Sequence, residues 1–153
     1  LGSFDEWDES KSLPWVLKTY PAHDSISRLM RDLNLIYRHE KAMYFEEHNP
    51  THFHWLMVDN ANDSIYAFQR NVDKDTLIFV FNMTSNYYES YSIPLLESGT
   101  YEEIFNSDKD VYGGSNQYNG LPLNSELGSF EGLPAHINIK LASFGACIFK
   151  KIK

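Results

Sequence analysis

The stretch "SFDEWDESKSLPW", residues 3–15, gathers Asp5, Glu6, Asp8 and Glu9 around two tryptophans, Trp7 and Trp15. Two carboxylates held at a set separation are the minimum for acid–nucleophile chemistry at a glycosidic carbon. Indole faces are flat and amphipathic, suited to stacking on sugar rings. The acids have a plainer reading as solvated loop charges. That reading is preferred, because exposed acids far outnumber catalytic ones. The residues therefore nominate no catalytic group.

A third indole, Trp55, stands in "FHWLMV". Strand alternation places Phe53, Trp55 and Met57 on one face and His54, Leu56 and Val58 on the other. If the first face is the core, Trp55 is structural; if the strand opens outward at its start, Trp55 is a binding platform. Pattern alone favours core packing.

His48, His52 and His54 lie close together but form no helical pair, and no thiolate or converging carboxylate joins them. They read as a solvated loop, so neither a metal nor a cofactor is expected. Cys147 is the only cysteine and sits in "GACIFK", where it reads as a small buried hydrophobe. The "YGGS" run at 112–115 lacks the lysine and following helix of a phosphate loop. It reads as a turn that needs positive φ, and Asn106, Ser107 and Asp108 should tie its base by side-chain hydrogen bonds.

Charge narrows the ligand. The 153-residue chain carries a net −8, and its basic residues form no face or run beyond Lys150, Lys151 and Lys153. Nucleic acid would demand a positive footprint, so it is excluded, and a neutral ligand suits the balance. Aromatic residues make up 15%, a composition rich both in strand formers and in stacking surface. No run approaches the length of a membrane span, and a cytoplasmic setting is expected.

The elements that must position these groups fall into three stretches. Residues 1–21 show no sustained period and read as an ordered loop. Residues 22–44 read as a helix with Ile26, Leu29, Met30, Leu33, Ile36 and Tyr37 along one face. Pro21 suits its first turn, Arg28 and Asp32 are spaced to pair, and Leu35 on the opposite side suggests cover from two directions. From Phe53 onward seven short runs of period two, rich in β-branched and aromatic residues, alternate with turn clusters. This predicts an antiparallel β-sandwich, a mainly β fold, over 46–153. The interval 107–134, rich in Gly, Asn and Ser, reads as a long functional or self-packed loop.

The motifs in order narrow the class. Glu6-Trp7, Ser12-Leu13-Pro14-Trp15, "RDLN" with Tyr37-Arg38, "FHWL", "FVFNMTS" and "NSDKDVYGGSNQYN" together resemble the glycogen (alpha-1,4-glucan) branching enzymes of the alpha-amylase superfamily. The resemblance spans essentially the whole chain. Pro14 and His54 depart from it, standing where the family has an aspartate and a glutamate.

The resemblance implies that 1–45 is the last loop and closing helix of a (β/α)8 catalytic barrel, and that 46–153 is an alpha-amylase-type C-terminal all-β domain. It implies that the catalytic carboxylates lie upstream and that this chain alone is inactive. The implied partners are alpha-1,4-glucan or glycogen and the missing upstream barrel. The glucan-binding candidates are Trp7, Trp15 and Trp55. For Trp7 and Trp15, stacking on glucose at the active-site rim and packing against the barrel stay open together; for Trp55, the family's surface glucan sites weigh against core packing. Two other readings stand beside this one: a stand-alone carbohydrate-binding sandwich, and the tail of another superfamily member such as a debranching enzyme. An uncovered helix stripe would favour self-association.

Overall fold

A computed structural model of the chain describes Glu6 and residues 8–153. Two antiparallel sheets carry an N-terminal helical layer. The strands are β1 (Phe53–Met57), β2 (Ile65–Val72), β3 (Asp75–Asn82), β4 (Tyr88–Leu95), β5 (Thr100–Asn106), β6 (Leu123–Asn124), β7 (Glu126–Phe130), β8 (Leu133–Leu141) and β9 (Ala146–Lys151). The larger sheet runs β1-β2-β3-β9-β5-β6 and the smaller β4-β8-β7. Both short strands β6 and β7 arise from the interval read as a loop.

The sheets face each other across a core that includes Ile65, Ala67, Val80, Ile93, Ile137, Ile139 and Phe149. Cys147 is buried in that core, and burial pushes its thiol well up, so it stays a neutral packing group. The other face of the large sheet carries Val72, Leu77, Phe79, Phe105 and Ile148, against which the helical layer packs. That explains the near-continuous apolar run of β3, which is buried on both faces.

The helical layer has a 3-10 turn at Trp15–Thr19, then α1 (Pro21–His39) and the single turn α2 (Lys41–Tyr44). Pro21 opens α1, where a missing N–H costs nothing. The continuous helix expected over 22–44 is broken at Glu40, which is extended (φ −93°, ψ 111°). Tertiary ties explain the break: Lys150 of β9 donates to the Glu40 carboxylate at 2.5 Å, and the Ala42 N–H that opens α2 donates to Asp75 at 2.8 Å. Asp32 is not the partner of Arg28. Arg28 pairs with Asp24 at 2.8 Å, while Asp32 takes Arg31 and the Tyr112 hydroxyl, each at 2.8 Å.

The apolar stripe of α1 divides. Leu29, Leu33 and Ile36 rest on the sheet, whereas Ile26 (60% exposed) and Met30 (51%) face outward. Leu35 is also exposed, so cover from two sides is not seen among the described residues.

Candidate functional site

Strand β1 is an edge strand, and its pairing with β2 slips between Trp55 and Met57. This β-bulge sets two residues of β1 against one of β2 and breaks the period-two alternation. The slip puts Met57 beside Leu56 on the inter-sheet core, while Trp55, still paired with Phe68, keeps the face of Phe53 and is 52% exposed. Core packing of Trp55, favoured by pattern alone, is thus incorrect. Its indole stands edge-on to Phe53 (5.2 Å, 89°) and to Phe68 (5.8 Å, 82°). Phe68 itself stacks on Phe79 at 4.6 Å, so the exposed ring is propped by an aromatic ladder rooted in the second core. A rigid, half-exposed indole loses little entropy when a sugar ring stacks on it.

On the inter-sheet side of the same strand a half-open groove of about 530 Å³ lies between the β1–β2 loop, β4 and the β7–β8 turn. The Tyr91 hydroxyl at its floor donates to Asp63 at 2.8 Å and accepts from the Asn60 amide at 2.7 Å. Partial burial, reinforced by Asp63, pushes the phenol up to about 12, so Tyr91 is a neutral donor at any physiological pH.

The N-terminal acids do not assemble a reactive pair among the described residues. Asp8 accepts from the Ser10 N–H (2.9 Å) and hydroxyl (2.7 Å), and these bonds hold its carboxyl below the usual aspartate range. It is a local turn former and a poor proton donor. Asp5 and Trp7 lie outside the described residues. Trp15 is 62% exposed at the start of the 3-10 turn, with Leu13, Val16 and Tyr20 also exposed nearby in sequence.

The long loop is structural. Asp108 N–H donates to Asn106, and the Asp108 carboxylate accepts from the Ser115 and Gln117 N–H groups. Gly113 has φ +85°, as the turn reading required, and a Cβ on Gly114 would lie 2.3 Å from the Asp108 carbonyl oxygen. Half-buried Glu103 closes the tie. It accepts from Asn106 and twice from Asn119, and burial holds its carboxyl above the ordinary value.

The model for the alpha amylase C-terminal all-beta domain matches residues 55–152. The chain belongs to the alpha-amylase C-terminal all-beta domain family. Among curated proteins it is similar to the 1,4-alpha-glucan branching enzyme GlgB of Gloeobacter violaceus, 37% identical over 97% of this chain and 20% of that protein. The same-named enzyme of Agrobacterium fabrum is 38% identical over 92% of this chain and 20% of its own. That of Bacillus mycoides is 34% identical over 100% and 24%. The chain therefore spans about a fifth of the length of these relatives. A solved isomaltulose synthase from Klebsiella sp. LX3 aligns with TM-score 0.47 and 12% identity over 78% of this chain and 16% of that one, too loose a likeness to transfer geometry.

The predicted residues scatter: Trp55 lies on β1, Trp15 precedes α1, and His54 bonds the Thr51 carbonyl at 3.1 Å. No group of three His, Cys, Asp or Glu side chains among the described residues is arranged to hold a metal. No helix of the described chain is long and apolar enough to cross a membrane. The groove around Tyr91 went unnoticed in the sequence. Its only signals were the acid- and amide-rich turn "DNAND" and the tyrosine-rich run "YYESYSI", neither of which states that the two meet.

Proposed function

We propose that this chain is the C-terminal part of a cytoplasmic 1,4-alpha-glucan branching enzyme of glycogen biosynthesis. The parent enzyme transfers an alpha-1,4-glucan segment to a 6-hydroxyl and so creates an alpha-1,6 branch. The chemistry belongs to a retaining carboxylate pair on the barrel of that enzyme. This chain has two tasks: residues 1–45 join the barrel to the sandwich of 46–153, and the sandwich helps hold glucan.

The observation that carries the glucan-holding task is Trp55, a large aromatic half-exposed on an edge strand and braced by Phe53 and Phe68. The exposed apolar side chains Trp15, Val16, Ile26 and Met30 support the joint, since a face of this kind calls for a cover. Trp15 belongs to that joint in this reading, and Trp7 keeps both of its roles, glucan contact or barrel packing.

Native gels with and without glycogen test the glucan task. The purified chain should be retarded by glycogen, Trp55→Ala should migrate faster in the glycogen gel, and Trp15→Ala should match the wild type. The same chain should leave iodine–amylose absorbance unchanged. Migration unaffected by glycogen would remove the glucan-holding role, and branching by the isolated chain would remove the assignment of chemistry to the barrel.

A further inference from the structure

Asn119-Gly120 is the only Asn-Gly pair in the chain. An asparagine side-chain amide is open to attack by the backbone nitrogen of the next residue, and glycine, with no Cβ, hinders that attack least. A bond forms from Gly120 N to Asn119 Cγ. The Gly120 N–H proton leaves with Nδ2 as ammonia, and a cyclic imide remains. Water then opens the imide at either carbonyl, giving aspartate or its β-linked isomer.

The folded chain holds the amide away from this path. Asn119 Nδ2 donates to Glu103 Oε1 at 2.9 Å and to the Lys140 carbonyl at 3.1 Å, while Oδ1 accepts the Lys140 N–H at 2.8 Å. The Asn119 N–H donates to the other Glu103 oxygen at 2.7 Å. This side chain stands in for a strand. Pairing of β7 with β8 reaches only His136, and farther along β8 the one amide takes both the N–H and the carbonyl of Lys140. Both partners of Nδ2 are acceptors, so the position calls for a donor.

Exchanging Nδ2 for a carboxylate oxygen turns these contacts against the loop. The product sets a negative oxygen against the Glu103 carboxylate and the Lys140 carbonyl, where like charges and facing acceptors repel. We propose that Asn119 is a self-modification site guarded by Glu103 and Lys140. While the loop 107–122 is seated the amide survives; each local opening exposes it to conversion, and the aspartate then keeps the loop from reseating. The folded-state rate is the intrinsic rate multiplied by the open fraction. The site thus records loop opening irreversibly, and it is independent of the glucan reading.

Incubating the whole chain folded and in urea, with peptide mass spectrometry over time, tests this. In urea the mass difference between NH2 and OH should appear at Asn119 ahead of Asn106 and Asn124, each followed by serine. In the folded chain it should appear far more slowly. Glu103→Gln removes a charge-assisted acceptor, so it should speed the folded-state reaction about tenfold and leave the urea rate unchanged. Gly120→Ala should slow the urea rate without disturbing the fold, since the position is exposed and an added Cβ meets nothing closer than Tyr118 at 3.4 Å. Asn119→Asp should lose amide-exchange protection across 107–122 while β3 keeps its own. Urea rates no faster at Asn119 than at the Asn-Ser pairs would overturn the site. Equal folded and urea rates, or no acceleration in Glu103→Gln, would overturn the guarding. Full protection in Asn119→Asp, or protection lost from β3 as well, would overturn the local release.

Discussion

Replacing Asp75 with alanine should loosen the helical layer from the sandwich. The Asp75 carboxylate accepts the Ala42 N–H at 2.8 Å and lies 3.5 Å from Lys150 Nζ, so one side chain serves both α2 and β9. Losing a side-chain acceptor at a helix start costs about 1 kcal/mol. Lys150 keeps Glu40 at 2.5 Å, so no charge is stranded, and its side chain is 35% exposed. The lost ion pair is therefore worth no more than about 1 kcal/mol after solvent screening. The sum, about 2 kcal/mol, corresponds to a fall in Tm of roughly 4–8 °C for a chain of this size. Calorimetry reads the midpoint, and hydrogen exchange reads whether the α1 amides lose protection ahead of β3, as a loosened layer requires. A shift under about 1 °C with α1 as protected as in wild type would refute a tie through Asp75.

Three further outcomes follow from the same contacts. Burial holds the Glu103 carboxyl above its ordinary 4.5, so the folded chain keeps a proton that the unfolded chain has released. Stability from this group is present at low pH and falls as pH rises from 4.5 through the folded value; subtracting a Glu103→Gln denaturation series from wild type should isolate that slope, with the sign stated. Gly114→Ala should destabilise by about 1–3 kcal/mol in urea titrations, since its Cβ would meet the Asp108 carbonyl and the loop must shift. Sedimentation should show concentration-dependent association of the isolated chain that weakens in Ile26→Lys/Met30→Lys, whose sites are exposed, while leaving Leu29 and Leu33 in place on the sheet.

Much of this fold is written in local period. "TLIFVFN" is apolar at almost every position because β3 is buried on both faces, and "HINIKL" alternates because only one face of β8 is. The base of the long loop was equally legible. Asn106, Asp108 and the paired glycines are residues whose side chains, or lack of them, bond or bend the nearest backbone. Arg28 was harder, since Asp24 and Asp32 both lie one turn away, and the choice fell to Tyr112, eighty residues on, which holds Asp32.

What the sequence by itself determined is the antiparallel sandwich with its leading helix, the burial of Cys147, the structural nature of the "NSD…YGGS" loop and the family. These depend on patterns that repeat every two or 3.6 residues and on short-range side-chain chemistry. Only the tertiary structure decided which way Trp55 faces, where the helix breaks, and that a turn at 59–63 meets Tyr91 and Phe130 in one groove. A bulge is a mismatch between two strands, and a broken helix here answers to Asp75 and Lys150 on other strands. Neither partner is visible from within the segment that yields to it, and the edge position of β1, set by the sheet order, leaves the indole half in solvent.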